Sequence, residues 1–133
     1  MKCLLSVLLY ILSTGVQLEA KMQSVTVSGQ ILCQRMAQSN ILVELWEQDT
    51  FDSNDLLATV HSDDMGKFNI TGGENERTGS IDPFLLFTHT CNVRKGCKRV
   101  TKFVIPKEAI GNGTYVINPV TLDTYRKKEK VVC

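Results

Sequence analysis

The hydrophobic positions of this chain alternate with polar ones over short runs, which is the period of a half-buried β-strand. In "VTVSGQILC", Val25, Val27 and Ile31 fall on one face, and in "KFNI", Phe68 and Ile70 do the same. Turn signals such as "DDMG" separate about seven such runs, and "KEAIGNG" is either a short connection or one helical turn. The pattern predicts an all-β fold, either an antiparallel β-sandwich or a partly open β-barrel.

Two of the predicted strands do not alternate cleanly. The run "DPFLLFTH" is apolar on both faces, and Trp46 and Leu42 lie on the nominally outer face of "ILVELWE". A connecting segment or the C-terminal tail covering that face would explain both strands. The alternative is an exposed apolar patch that binds a ligand.

The N-terminus resembles a secretory signal peptide. Met1 and Lys2 precede the apolar run "CLLSVLLYIL", which is short for a membrane span, and a more polar segment ends at Ala20. We therefore predict a signal peptide over residues 1–20 and a single domain over residues 21–133. The expected location is secreted and extracellular.

Four cysteines remain after such cleavage, and an even number in an oxidising compartment predicts two disulfides. Three connectivities are available. We predict Cys91–Cys97, which would close a local loop, and Cys33–Cys133, which would tie down the tail. Zinc binding and thioredoxin-like redox chemistry are disfavoured because the spacing C-x5-C matches neither site.

The net charge of +1 conceals a separation of charge along the chain. Residues 44–82 carry ten acidic and two basic residues, whereas residues 83–133 carry ten basic and three acidic ones. Either the two sets lie on adjacent strands and neutralise one another, or they form separate acidic and basic surfaces. The basic residues cluster in and beside the cysteine loop, with more in the tail: Arg94, Lys95, Lys98, Arg99 and Lys102, then Arg126, Lys127, Lys128 and Lys130.

Residues typical of catalysis or metal binding are sparse. Neither His61 nor His89 lies in a catalytic motif, so we predict that the protein is not an enzyme and needs no cofactor. The run "EQDTFDSNDLL" invites a weak calcium site, but it lacks the ligand spacing of an EF-hand loop, and a turn with solvated carboxylates is the default. We predict no metal. Sequons at Asn69 and Asn112 are candidate N-glycosylation sites.

Several phrases in combination resemble the secreted transthyretin-like family that is expanded in nematodes. They are "VELWEQD", "DDMGKF" and "IDPFL" followed by H-x-C, and the resemblance extends from about Ser24 to Asp123. It implies a transthyretin-like β-sandwich. The family includes a factor that bridges phosphatidylserine on dying cells to a phagocyte receptor, to which this sequence is similar. The related hydroxyisourate hydrolases end in Tyr-Arg-Gly-Ser and use an early histidine, and this chain has neither.

We therefore expect a secreted adaptor that binds anionic phospholipid and a phagocyte receptor, with no nucleic-acid partner. The expected headgroup contacts are Arg94, Lys95, Lys98, Arg99 and Lys102, and the expected apolar contacts are Phe84 and Phe87. The alternative is an extracellular carrier of a small hydrophobic ligand, because some strands are apolar on both faces. The sequence leaves open whether two copies form a homodimer.

Overall fold

The computed structural model describes residues 21–76, 79–124 and 129–133, which form two β-sheets packed face to face. Within these ranges one 3₁₀ helix spans Lys107–Ala109, and no helix is long and apolar enough to cross a membrane. The strands are β1 (Lys21–Cys33), β2 (Met36–Ala37), β3 (Leu42–Glu47), β4 (Asp55–His61), β5 (Lys67–Glu76), β6 (Pro83–His89), β7 (Lys98–Val104), β8 (Thr114–Thr121) and β9 (Lys130–Val132).

The first sheet is built around β1, which pairs antiparallel with β5 and with the short β2, and parallel with β8. The second sheet has five strands in the order β4-β3-β6-β7-β9, all antiparallel. The predicted all-β sandwich is confirmed, and the two sheets do not close into a barrel. The two strands beyond the predicted seven are β2 and β9, and β9 lies in the C-terminal tail.

The core lies between the sheets and is formed by the residues that the alternation placed inward. Phe68 of one sheet packs edge to face against Phe87 of the other, with ring centroids 5.6 Å apart. Each large apolar side chain that is buried in this way contributes about 1.5–3 kcal/mol. The aliphatic residues of this core include Val25, Val27, Ile31, Val43, Leu45, Ile70, Leu85, Ile105, Ile117 and Val120.

The inside/outside alternation of β4 is interrupted at one pair of residues. Strict alternation with the inward Ala58 and Val60 would place Leu56 inward and Leu57 outward, but Leu57 packs against the core and Leu56 is half exposed. The cause is a shift in the β3–β4 register, in which Leu45 pairs with Ala58 while Trp46 pairs with Leu56. Leu57 is the extra residue of this β-bulge, so the alternation changes face there.

The antiparallel pairing of β3 with β6 defines two ends of the second sheet. Leu42 lies opposite Thr88, so the connection from β6 to β7 emerges beside the start of β3. Glu47 lies opposite Pro83 at the other end, about 17 Å away for five residues of strand. We call the end near Leu42 and Thr88 the loop end, and the end near Glu47 and Pro83 the acidic end.

Candidate functional site

Both predicted disulfide pairs are wrong. The structure joins Cys33 to Cys91, with 5.9 Å between their Cα atoms, and Cys97 to Cys133. Cys91 is buried because it continues the inward positions of β6, and Cys33 ends β1 in the facing sheet. Their bridge therefore connects the two sheets instead of closing a local loop.

The second bridge follows from β9. This strand runs antiparallel to β7 with Val132 opposite Lys98, so Cys133 arrives beside Cys97, with 4.0 Å between their Cα atoms. The segment from Cys91 to Cys97 is consequently anchored at both ends, by two bridges to different parts of the chain. A loop held in this way gives up less conformational entropy on binding than a free one.

Three of the five predicted headgroup residues are exposed at or beside this loop: Arg94, Lys95 and Lys98. Neither of the two ion pairs found among the described residues involves them. Lys102 is half buried on β7. The tail residues Arg126, Lys127 and Lys128 lie outside the described residues.

The predicted headgroup role of Arg99 is wrong, because its side chain is completely buried. The guanidinium forms an ion pair with Glu129 at 2.6 Å between nitrogen and oxygen. It also donates hydrogen bonds to the carbonyl oxygens of Cys91, Leu122 and Thr124. Arg99 therefore connects the loop end, the end of β8 and the segment before β9 inside the protein.

His89 belongs to the same buried network. The backbone N–H of Cys91 donates to its Nδ1 at 3.1 Å, and the Thr101 hydroxyl donates to Glu129 at 2.9 Å. The proton of a neutral imidazole must then reside on Nε2, which donates to the Thr101 oxygen at 2.8 Å. Burial, and secondarily the charge of Arg99, lowers the pKa of His89 to about 4. At 3% exposure His89 is a packed residue of this buried network.

We expect His89 to destabilise the protein in mild acid. The pKa of His89 is about 4 in the folded protein, and the ordinary value of 6.5 applies to the unfolded chain. The stability that the neutral, buried imidazole contributes is therefore fully present above pH 6.5 and is lost as the pH falls towards 4. The loss reaches about 3 kcal/mol. Urea unfolding between pH 4 and 7 should show a shallower pH dependence in His89→Gln than in the parent chain. Parallel curves would contradict the assignment.

The outer face of the second sheet carries a groove of about 540 Å³. We call it the lysine-rimmed groove. Its apolar lining residues are Trp46, Phe84, Leu86 and Val100, and its charged ones are Lys102, Lys130 and Glu44. Lys102 places its Nζ 4.3 Å from the centroid of the Phe84 ring, in cation–π geometry. The groove corresponds to the apolar outer face that the sequence pattern indicated.

The two predicted apolar contacts, Phe84 and Phe87, lie on opposite faces of the second sheet. Phe87 is fully buried in the core, so its predicted role at a surface is wrong. Phe84 faces the other way and lines the lysine-rimmed groove, although it is only 5% exposed. The neighbouring Trp46 has a buried indole Nε1 that finds no acceptor among residues 21–76, 79–124 and 129–133.

Sequence reasoning missed one cation at the loop end. The turn between β1 and β2 consists of Gln34 and Arg35, both with positive φ, at 50° and 67°. Gln34 donates from Nε2 to the side-chain oxygen of Asn92 at 3.1 Å, which places the exposed Arg35 beside the cysteine loop. Two-residue hairpin turns of this kind usually contain Asn-Gly, and no such signal is present.

The sequons lie at exposed positions, since Asn69 points outward from β5 and Asn112 follows the 3₁₀ helix. Both are accessible to a glycan, and their modification stays a prediction.

Taken together, these features define a disulfide-crosslinked β-sandwich with a basic loop end and an apolar groove on one face. The chain belongs to the transthyretin-like family. A model of that family (TTR-52: Transthyretin-like family) matches residues 28–106.

Its relatives include transthyretin-like protein 16 of Caenorhabditis elegans, which is 40% identical over 97% of both chains. Transthyretin-like protein 46 of the same organism is 36% identical over 81% of this chain and 64% of its own length. Among solved structures, a 9R-lipoxygenase from Cyanothece PCC8801 matches 79% of this chain and 18% of its own, with a TM-score of 0.50 and 18% identity. At that identity the likeness concerns the fold alone.

Proposed function

We propose that this protein is a secreted adaptor that binds anionic phospholipid, phosphatidylserine in particular, and presents another face to a phagocyte receptor. The observation that carries the proposal is an apolar groove lined by two lysines, on the sheet whose β6–β7 loop exposes further cations. Half-buried Lys102 of β7 and exposed Lys130 of β9 line the groove, and Arg94, Lys95 and Lys98 are exposed at or beside the loop.

The register of β7 with β9 supports a single binding face. Side chains directly opposite each other in an antiparallel pair lie on the same face, and Val100 is opposite Lys130. Lys98, Val100 and Lys102 share that face because they are two residues apart along β7. Ammonium groups therefore lie beside the groove, where they suit a phosphate or carboxylate headgroup.

Glu47, Asp49 and Asp55 lie at the acidic end, about 17 Å from the loop end, so part of the acidic set is separated in space from the basic loop. Asp63 and Asp64 follow β4 near the loop end, and Lys107 pairs with Asp82 near the acidic end. Electrostatic attraction to an anionic membrane orients the loop end towards the lipid and the acidic end away from it. That orientation leaves the acidic end accessible to a receptor, as an adaptor requires.

A carrier of a small hydrophobic ligand is the second candidate, and the lysine-rimmed groove is the observation that favours it. The space between the sheets is occupied by core side chains such as Leu45, Ile70 and Phe87. A carried ligand would therefore lie on the outer face, and an amphiphile with a negative group would suit it best.

Co-sedimentation with liposomes tests the lipid proposal. We expect the protein to sediment with vesicles of phosphatidylcholine and phosphatidylserine, and less with phosphatidylglycerol at equal charge. Because each basic residue near an anionic surface contributes about 1 kcal/mol, Arg94→Glu with Lys95→Glu should weaken binding by at least about 30-fold. The matched control is Lys67→Glu, an exposed lysine of the first sheet, which should bind as the parent does.

The outcomes separate the alternatives. Equal binding to both anionic lipids would reduce the loop end to a general electrostatic surface. Retained binding by the double variant would contradict the site. Binding of submicellar short-chain phosphatidylserine without binding to vesicles would instead favour the carrier.

A further inference from the structure

Five carboxylates converge at the acidic end, and they come from three strands and one loop. The same alternation that buries Val43 and Leu45 turns Glu47 inward at the end of β3. In the facing sheet, Glu74 and Glu76 continue the inward positions of Phe68 and Ile70 along β5. Asp55 begins β4 directly opposite Glu47, and Asp49 follows β3.

Glu47 lies at the centre of this group. Its carboxylate lies within 4.8 Å of those of Asp49 and Asp55, and also within 4.8 Å of those of Glu74 and Glu76. Two oxygens on opposite sides of one calcium ion are about 4.6–5.2 Å apart, twice the usual bond length of 2.3–2.6 Å. The spacing of both trios is therefore short enough for a single calcium ion to contact all three carboxylates of either trio.

Burial supplies an independent indication of a ligand. Glu47 is only 3% exposed, and its Oε2 has no hydrogen-bond partner among the described residues. The buried Oε2 of Glu74 is also without a partner in those residues. Neither ion pair found in the described part of the chain includes these carboxylates. A buried, unpaired carboxylate is costly, and such groups are normally paired or bound to a metal ion.

We propose that this cluster is a calcium site, with Glu47 as the shared ligand and Asp49, Asp55, Glu74 and Glu76 completing the oxygen shell. The site lies between the edges of the two sheets, where one ion would hold β3 and β4 against the end of β5.

Burial and, secondarily, repulsion between neighbouring carboxylates raise pKa values in this cluster. Burial, followed by contacts with Asp55 and Glu47, raises the pKa of Glu74 to about 7. Burial also raises the pKa of Glu47, against a hydrogen bond with Glu74 that lowers it. A divalent cation would relieve the same repulsion while all five groups stay ionised.

Calorimetric titration of the full chain with calcium chloride tests the proposal, in the absence of lipid so that its result is independent of the lipid proposal. We expect saturable binding with a dissociation constant of about 0.1–1 mM, as in extracellular calcium modules. Calcium should also raise the melting temperature relative to EGTA, and magnesium at the same concentration should do so much less.

Two substitutions and a control identify the ligands. Glu47→Gln should weaken calcium binding at least about 10-fold, because it removes the shared charged ligand. It should also raise the melting temperature in EGTA, because it removes repulsion. Glu74→Gln, at a less buried position, should change both quantities in the same directions. The exposed Glu108→Gln is the matched control and should change neither.

Arg77 follows the cluster in the sequence and lies outside the described residues. The variant Arg77→Ala is therefore measured as well, to test for an ion pair with the cluster. We expect unchanged calcium affinity and an unchanged melting temperature in EGTA. The proposal is overturned if the parent chain neither binds calcium nor gains thermal stability up to about 10 mM, ten times the weakest expected constant. A lower melting temperature for Glu47→Gln and Arg77→Ala in EGTA would indicate an ion pair instead.

Discussion

Replacing Arg99 with methionine is expected to lower the free energy of unfolding by about 3–5 kcal/mol, because it leaves a buried partner charge uncompensated. That partner is Glu129, whose side chain is 4% exposed. The carbonyl oxygens of Cys91 and Leu122 lose their 2.8 Å hydrogen bonds to the guanidinium at the same time. Urea denaturation at pH 7, with both disulfides formed, measures the change.

The matched control is Arg94→Met, in the exposed loop a few residues away, which should change stability by no more than about 0.5 kcal/mol. The double variant Arg99→Met with Glu129→Met should recover part of the loss, because no buried charge remains. Recovery should be incomplete, since the carbonyl groups still lack donors. A loss below about 1 kcal/mol for Arg99→Met would contradict the buried network.

Removing the bridge between the sheets should have a similarly large effect. Cys33 and Cys91 are 58 residues apart in sequence, and the loop-entropy relation gives about 4 kcal/mol for a crosslink of that span. The variant Cys33→Ala with Cys91→Ala should therefore unfold at much lower urea concentration than the parent chain. Its slope against urea should also rise, because the unfolded chain becomes less constrained.

Peptide mapping under non-reducing conditions checks the connectivity on which this expectation rests. The parent chain should yield one crosslinked peptide containing Cys33 with Cys91, and another containing Cys97 with Cys133. Recovery of Cys91 joined to Cys97 would contradict this connectivity. If Cys33 were then joined to Cys133, the same variant would break two bridges instead of one.

The sheet architecture could be predicted from sequence because side chains on the same face of a strand recur every two residues. The inward positions of β1, β3 and β5 follow directly from Val25, Val43 and Phe68 and their neighbours. The disulfides could not be predicted in the same way, because their pairing depends on β9. Three residues carry little periodic signal, and this strand forms only against the edge of β7.

The candidate site was predicted in part, and the errors have a common cause. Arg99 was grouped with its basic neighbours by proximity in sequence, although Lys98 and Arg99 must point to opposite faces of a strand. The same rule would have placed Glu47 inward after Val43 and Leu45. The groove at Trp46 and Phe84 was indicated because apolar residues on an outer face already departed from the expected pattern.

The bridge between Cys97 and Cys133 also determines which strand is the edge strand of the second sheet. As long as the bridge is intact, β9 covers the backbone hydrogen-bonding groups of Lys98, Arg99 and Val100. The edge strand is then β9, which is three residues long and contains a lysine. Reduction of this disulfide would release β9 and leave the seven-residue β7 as the edge strand. Unpaired edge strands of this length are templates for intermolecular strand pairing. The bridge is therefore a safeguard against aggregation as well as a crosslink.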